Sequence, residues 1–286
     1  MEKTTNQRPL GTLWMAATTL GDIKDIPLRS LELLRECKFL VFEEDKKARQ
    51  FLKAAQVQRQ WMRYTEQREA FTLEELEREL REGHDALYMS DQGTPGLADP
   101  GRDLVEVAVR IGARLRVVPG PSSLTATISV CPIDCRRFQF VGFPPRNEEE
   151  REVFLRRHLN HPWPAVLFDT PYRMKSFFET LRKVLAGSGR KVFVGLDISG
   201  PDENFWWATA EEIDQKVSAL AEKLNYVVIV EGTGREDYTS NRRHQDLRNN
   251  TKADHGVTTE RKEPFGKSRK KPSNPRHKRP NSSARR

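Results

Sequence analysis

An aspartate and two glycines follow a short apolar segment near the middle of the chain, and their types and order suit the binding of a small ligand. Asp91 comes directly after the segment ALYMS, and Gly93 and Gly96 interrupt the residues that follow. Glycine lets the backbone turn and approach a ligand, and a carboxylate accepts hydrogen bonds or pairs with a cation. Ligands of open α/β sheets bind beyond the carboxyl ends of the strands, so this corner predicts a binding site. A plain turn between a strand and a helix has similar residues and stays an alternative.

A second corner, PGPSS, closes the next apolar segment and adds the hydroxyl groups of Ser122 and Ser123. Another apolar segment, KFLVF, ends in three carboxylates at residues 43–45. Neither corner matches the glycine patterns of dinucleotide- or phosphate-binding loops. Two corners at successive strand ends predict a cleft for a small molecule, and the residue types alone leave the molecule open.

The elements that must position these corners alternate between strands and helices. Through the first 120 residues this alternation predicts a parallel-rich sheet with helices on both faces. The alternation resumes with a new set of apolar segments, which predicts a second α/β domain and a boundary near Gly120. The predicted organisation is a flexible N-terminus at 1–11, an N-terminal α/β domain at 12–120, a C-terminal α/β domain at 121–234 and a disordered basic tail at 235–286.

Capping signals mark two predicted helix starts. Thr72 and Glu75 have the spacing of a capping box, and Phe71 stands where a hydrophobic staple would begin. Asp99 followed by Pro100 is typical of an N-cap and a first-turn proline. The apolar residues of an earlier helix that we expect to face inward are Leu28, Leu31 and Leu34.

The positive charge of the chain is concentrated at its C-terminal end. Residues 235–286 contain 16 Lys/Arg and 6 Asp/Glu, whereas residues 1–234 contain 33 and 35, in a protein of formal net charge +8. The tail has few large apolar residues, which predicts disorder. Its charge suits the phosphate backbone of a nucleic acid, and a purely solubilising tail is the alternative.

Three cysteines, Cys37, Cys131 and Cys135, give an odd count in a chain without a secretory signal, which favours the reducing cytoplasm. No second Cys/His pair completes a zinc pattern, so we predict no metal site. No apolar run approaches the roughly 18 residues that a membrane span needs, so we expect no membrane association.

Three ordered segments, SDQGTPGLADPG, VVPGPSS and FVGFPPR, resemble the signatures of one family. The resemblance extends over about residues 12–232 and is to the tetrapyrrole-methylase-like S-adenosylmethionine methyltransferases. It implies a two-domain fold that holds S-adenosylmethionine in the cleft between the domains. The residues at its cofactor-contact positions are Leu20, Asp91, Gly93, Thr94, Gly96, Ser122, Ser123 and Leu167, with Phe168 as the alternative to Leu167.

The resemblance is strongest to members that methylate a cytidine 2′-hydroxyl, and it implies ribosomal RNA or the small ribosomal subunit as the partner and a homodimer as the assembly. A ribose hydroxyl is a weak nucleophile that a base assists. The candidate bases are Glu44, Asp45 and Glu66. The candidate phosphate-binding residues are Lys46, Lys47 and Arg173.

The substrate side departs from the family pattern, because histidines of that pattern are missing from the segments TEQR and TPYR. Two other interpretations therefore stay open. One is a methylase of a tetrapyrrole or of a protein side chain. The other is a catalytically weakened relative that binds RNA or the ribosome.

Overall fold

The computed structural model describes residues 9–97, 99–221 and 223–234. The predicted tail at 235–286 and residues 1–8 of the predicted N-terminal segment lie outside the described residues. Two five-stranded sheets, flanked by helices, form the framework of one compact unit. The predicted α/β class with a sheet in each half is confirmed.

The first sheet is parallel throughout. Its elements are β1 (Thr12–Ala16), α1 (Leu28–Glu36), β2 (Phe39–Phe42), α2 (Asp45–Ala54), β3 (Met62–Arg63), α3 (Glu69–Arg81), β4 (Ala86–Met89), α4 (Arg102–Ile111) and β5 (Arg114–Val118). The strand order is β3-β2-β4-β1-β5, so β4 is central, and its four residues are all buried. Helices α1 and α2 pack on one face around Leu34 and Phe51, and α3 and α4 pack on the other around Leu76 and Leu104.

The second sheet is mixed. Its elements are α5 (Ser123–Ser129), β6 (Gln139–Gly142), α6 (Glu148–Leu159), β7 (Ala165–Asp169), α7 (Met174–Leu185), β8 (Lys191–Leu196), β9 (Asn204–Thr209), α8 (Ala210–Ser218) and β10 (Tyr226–Val230). The order is β6-β7-β10-β8-β9, and only the β6–β7 pair is parallel. Helices α6, α7 and α8 cover one face, and α5 with the loop after it packs on the other. The predicted boundary near Gly120 falls between β5 and α5, and the parts of the compact unit before and after it, each with one sheet, are called the first domain and the second domain.

Both predicted helix starts are wrong. Helix α3 begins at Glu69, so Thr72 lies inside it, and its buried hydroxyl donates to the Arg68 carbonyl at 2.9 Å. Helix α4 begins at Arg102 after Gly101, which has a φ of 116°. The turn therefore ends two residues later than the Asp-Pro pair indicates, and Asp99 is not a cap.

Two further expectations need correction. Leu28 begins α1 but is 77% exposed, and Ser30, Leu33 and Leu34 are the residues that α1 buries. The segment NFWWAT forms the strand β9, which the sequence pattern did not predict. Helix α8 follows β9 directly, and Thr209 and Glu212 form the capping box that starts it.

No helix within the described ranges is long and apolar enough to cross a membrane.

Gly101 allows the chain to pass against the buried ring of Tyr88, and this contact generates a stability prediction. A Cβ atom at Gly101 would lie 2.7 Å from Cε1 of Tyr88, whereas a Cβ at Gly112, which also has positive φ, would meet nothing within 4 Å. We expect Gly112→Ala to cost about 1 kcal/mol from backbone strain alone. Gly101→Ala should cost about 2 to 4 kcal/mol, because the ring cannot move without disturbing its neighbours. Urea unfolding measures both, and equal losses in the two variants would contradict this account.

Candidate active site

A cleft with a volume of about 180 Å³ lies where the carboxyl ends of the first sheet face the second domain, and it opens to solvent. The first domain contributes Leu20, Gln92, Gly93, Thr94, Leu97 and Asp99. The second domain contributes Ser122, Ser123, Phe143, Phe168, Asp169, Asp197, Ile198, Asn225, Tyr226 and Val227.

Gly93 fixes the first corner against the end of β1. Its N–H donates to the Thr19 carbonyl at 3.0 Å, and its carbonyl accepts from the Thr18 N–H at 2.8 Å. Its φ is 76°, and a Cβ atom there would lie 3.1 Å from Cδ2 of Leu20 and 3.2 Å from the Pro121 carbonyl oxygen. Glycine therefore allows three segments of the chain to meet at one point.

The two predicted corners are joined directly. The hydroxyl of Thr94 lies 2.9 Å from the Pro121 carbonyl oxygen and 3.2 Å from that of Gly120. Ser122 and Ser123 follow at once and line the cleft, and the Ser122 hydroxyl makes no capping bond to α5. Its oxygen and proton therefore stay available to a polar ligand.

Three carboxyl groups affect one another on the first-domain side, and of these only Asp99 is among the residues that line the cleft. Burial, reinforced by the charge of Asp91, raises the pKa of Asp99 to about 6. Burial also raises the pKa of Glu43 to about 7, with Asp91 and Asp99 adding to the effect, although the Tyr88 hydroxyl donates to Oε1 of Glu43 at 2.7 Å. The pKa of Asp91 is raised by burial and then by Glu44, whose backbone N–H donates to Asp91 at 3.3 Å.

The second-domain side holds a buried ion pair. The Asp169 side chain is 1% exposed, and its Oδ1 atom lies 2.6 Å from the Arg173 guanidinium, which also donates to the Pro144 carbonyl at 3.1 Å. Burial raises the pKa of Asp169 despite this partner. Its other oxygen, Oδ2, and the Tyr226 hydroxyl are buried polar atoms with no hydrogen-bond partner among the described residues.

The structure brings most of the predicted cofactor-contact residues together. Five of the eight line the cleft, namely Leu20, Gly93, Thr94, Ser122 and Ser123. Asp91 is half-buried and is not among the lining residues, and Gly96 is exposed with open space around it. Leu167 is fully buried in the second-domain core, and Phe168 lines the cleft, because successive residues of a strand face opposite sides of the sheet. Of the two predicted candidates, Phe168 is therefore the one that lines the cleft.

None of the residues predicted for catalysis and substrate binding is among the residues that line the cleft. Glu44, Glu66 and Lys46 are exposed, and Lys47 is half-buried. Asp45 accepts a hydrogen bond from the Trp61 indole at 3.0 Å. Arg173 is held by Asp169, so its guanidinium is already occupied within the protein.

Sequence reasoning missed Asp99, Glu43 and Asp169 as acidic groups of the site. Asp99 was interpreted as a helix cap, although its position six residues after Gly93 places it within the same glycine-rich corner. Glu43 is the first of the three acidic residues that follow β2. Its burial and its hydrogen bond with Tyr88 distinguish it from the other two, and the sequence shows neither feature.

The family of this chain follows from comparison with known proteins. The profile of the Tetrapyrrole (Corrin/Porphyrin) Methylases matches residues 12–214. The chain therefore belongs to this family, and it is an S-adenosylmethionine-dependent methyltransferase.

Two similar relatives carry the same name. The chain is 31% identical over 222 residues to the ribosomal RNA small subunit methyltransferase I of Leptospira borgpetersenii serovar Hardjo-bovis (strain L550), covering 77% of this chain and 87% of that protein. It is 30% identical over 204 residues to the protein of the same name from Thermotoga maritima, covering 71% and 90%.

Solved structures share the fold at lower identity. A diphthine synthase has a TM-score of 0.61 at 16% identity, covering 77% of this chain and 89% of its own. The uroporphyrin-III C-methyl transferase of Thermus thermophilus, complexed with S-adenosyl homocysteine, has a TM-score of 0.54 at 16% identity, covering 79% and 99%.

The raised pKa of Glu43 generates a prediction about stability and pH. The folded protein raises this pKa from 4.5 to about 7, so folding favours the neutral carboxyl group. The resulting stability is present below pH 4.5 and is lost as the pH rises through about 7. Glu43→Gln keeps the acceptor for Tyr88 without the charge, and it should raise the free energy of unfolding at pH 8 by about 1 to 2 kcal/mol, since solvent near the side chain reduces the full effect.

Urea unfolding of Glu43→Gln and the unchanged protein at pH 5 and pH 8 checks this. The gain should be much smaller at pH 5, where Glu43 is already largely neutral. A gain of the same size at both pH values, or a loss at pH 8, would show that the charge of Glu43 is not what burial opposes.

Proposed function

We propose that this methyltransferase transfers a methyl group to a ribose 2′-hydroxyl in small-subunit ribosomal RNA, with S-adenosylmethionine bound in the cleft. The observation that carries the proposal is the convergence of both corners on one acidic cleft. The substrate class is supported by relatives that are named ribosomal RNA small subunit methyltransferase I and match most of this chain. The tail contributes net +10, which suits a polyanionic partner.

The residues of the cleft fit this methyl donor, which carries a cationic sulfonium and an ammonium group. Three carboxylates, Asp99, Asp169 and Asp197, belong to its walls. Oδ2 of Asp169 is buried without a partner among the described residues, so a ligand N–H or O–H that reaches it would satisfy it. Gly93 lets Leu20 and Pro121 approach each other at the wall of the cleft. When bound, S-adenosylmethionine supplies an electrophilic methyl group.

The protein must then hold the attacking hydroxyl in line with the methyl group and exclude water. The aromatic rings of Phe143 and Phe168, with centroids 6.0 Å apart, form an apolar part of the wall beside Ile198. Arg173 holds Asp169 and the Pro144 loop in place, so we assign it a positioning role instead of the phosphate contact predicted from the sequence.

We assign the role of general base to Asp99. It lines the cleft, and with a pKa of about 6 it is ionised at neutral pH yet closer to neutrality than an ordinary aspartate, as an effective base should be. One of its Oδ atoms would take the hydroxyl proton as the oxygen bonds to the methyl carbon, while the bond from that carbon to the sulfonium sulfur breaks and S-adenosylhomocysteine leaves. Glu44, Asp45 and Glu66 remain the alternatives predicted from the sequence.

The assembly and location are part of the same proposal. β5 is an edge strand that exposes Leu115 by 40% and Val117 by 54%, which offers an apolar surface to a second copy of the chain. We propose a homodimer that acts in the cytoplasm, where the small ribosomal subunit is found.

The assignment of Asp99 predicts the pH dependence of methyl transfer. Under single-turnover conditions the rate should rise with pH through an apparent pKa of about 6. Asp99→Asn should lower the rate by roughly 100-fold or more and remove this rise, because the amide cannot accept the proton. Binding of S-adenosylmethionine, followed by calorimetry, should change far less.

The competing variants are Glu44→Gln, Asp45→Asn and Glu66→Gln. A comparable rate loss in one of these, with Asp99→Asn near normal, would transfer the role of the base to that residue. The substrate is tested separately by mapping ribose methylation in small-subunit ribosomal RNA with and without the gene. One ribose should lose its methyl group, and an unchanged map would contradict the proposed function.

A further inference from the structure

The surface beside β3 forms a groove that the proposed cofactor site does not use. Two adjoining depressions share Arg59 and Trp61, and together they follow residues 45–68 around the edge of the first sheet. We call this surface the β3 groove. β3 is the edge strand of its sheet, so the groove lies at the margin of the domain.

The β3 groove is strongly basic. Its charged lining residues are one acid, Asp45, and five bases, Arg49, Lys53, Arg59, Arg63 and Arg68. Residues 1–234 as a whole have two more acids than bases, so this local excess does not follow from the average composition. Within the described part of the chain, Arg49, Lys53 and Arg68 form no ion pair, which leaves their charges available to a polyanion.

The remaining side chains of the groove suit unpaired nucleobases. Four glutamines, Gln56, Gln58, Gln60 and Gln67, line it and can both donate and accept hydrogen bonds. The Trp61 indole N–H donates to Asp45 at 3.0 Å, which fixes the ring, and the Arg49 guanidinium lies 5.9 Å from the ring centroid. Aromatic and guanidinium planes stack on bases that are not already stacked in a duplex, so this composition favours a single strand.

The β3 groove also leads to the proposed active site. Asp45 lines the groove. Glu44 precedes it in the chain, and the Glu44 N–H donates to Asp91 at 3.3 Å. Asp91 precedes Gly93 by two residues, and Gly93 lines the cleft. β2, β3 and β4 are parallel, so their carboxyl ends lie at the same edge of the sheet. A strand of RNA in the groove would thus be adjacent to the first-domain rim of the cleft.

We propose that the β3 groove binds the single-stranded RNA that flanks the methylated nucleotide. Phosphates would contact Arg49, Lys53 and Arg68, and a base would stack at Trp61. This inference rests on the proposed function for the identity of the substrate, but its physical claim is RNA binding at this surface.

The test uses the full chain with the double variant Arg49→Gln/Arg68→Gln. Both residues are exposed, so the fold should be preserved. The matched control is Arg157→Gln/Lys175→Gln, which removes two exposed cations that form no ion pair within the described residues, on α6 and α7 of the other domain. The probes are a fluorescent 12-nucleotide single-stranded RNA for affinity and S-adenosylmethionine for the cofactor site.

The groove variant should bind this RNA at least 10-fold more weakly than the control does. The slope of log affinity against log salt should become shallower by about 1.4, because two phosphate contacts on a single strand are lost. The affinity for S-adenosylmethionine should stay unchanged, and a photoreactive 4-thiouridine in the RNA should cross-link within residues 56–68. Equal RNA affinities and slopes in the groove variant and the control would overturn the proposal, as would equally strong competition by duplex RNA.

Methyl transfer separates this inference from the proposed function. If the unchanged protein methylates small-subunit ribosomal RNA and the groove variant does so with a normal KM, the groove proposal fails while the function stands. If the unchanged protein methylates no RNA, and the groove variant binds RNA more weakly than the unchanged protein does, the groove proposal stands and the function fails.

Discussion

The site depends on the contact of the Gly93 corner with the end of β1 and with Pro121. Two backbone hydrogen bonds join Gly93 to Thr18 and Thr19, and its missing side chain lets Leu20 and Pro121 approach to within contact distance. Thr94 extends the contact to the second corner. These bonds connect segments from three strand ends, so they hold the two corners together at the wall of the cleft.

Connections between the two domains complete the cleft. The Asn225 side-chain amide of the second domain lies 3.4 Å from the Gln92 side-chain oxygen, and Gln92 in turn donates to the Leu20 carbonyl at 2.9 Å. On the outer side, the Asp22 N–H donates to Ser199 at 3.2 Å, and Ser199 also hydrogen-bonds Asp25. These polar contacts join the surroundings of the two sheets beside the cleft.

Burial makes ionisation unfavourable for acidic groups in the cleft and beside it. Burial raises the pKa values of Glu43, Asp99 and Asp169, which means that the folded protein resists their ionisation. Such opposition is typical of functional sites, where a ligand or substrate supplies the missing compensation. In this molecule a cationic methyl donor and a hydroxyl proton are the compensating groups that the proposed reaction brings.

The sequence was sufficient to predict the elements whose signals are local and strong. β4 was predictable because a continuous apolar segment must be buried on both faces, and the two corners because their glycines, prolines and serines break both helix and strand. Short capping signals failed where tertiary contacts outweighed them: Thr72 is buried inside α3, and Gly101 starts α4 because only glycine fits beside Tyr88. Choosing between Leu167 and Phe168 required knowing which face of β7 each residue occupies. Predicting the raised pKa of Glu43 required knowing that its side chain is buried. A single sequence contains neither piece of information.

Calorimetric titration of S-adenosylmethionine into Gly93→Ala and Gly96→Ala tests the central claim most directly. Both glycines have positive φ, at 76° and 101°, so backbone strain is similar, but only a Cβ at Gly93 meets Leu20 and Pro121 at the cleft. With folding verified by circular dichroism, we expect Gly93→Ala to lose about 100-fold or more in affinity, which corresponds to about 3 kcal/mol, and Gly96→Ala to lose less than about threefold. Unchanged affinity in a folded Gly93→Ala protein would contradict the account and would place the methyl donor elsewhere.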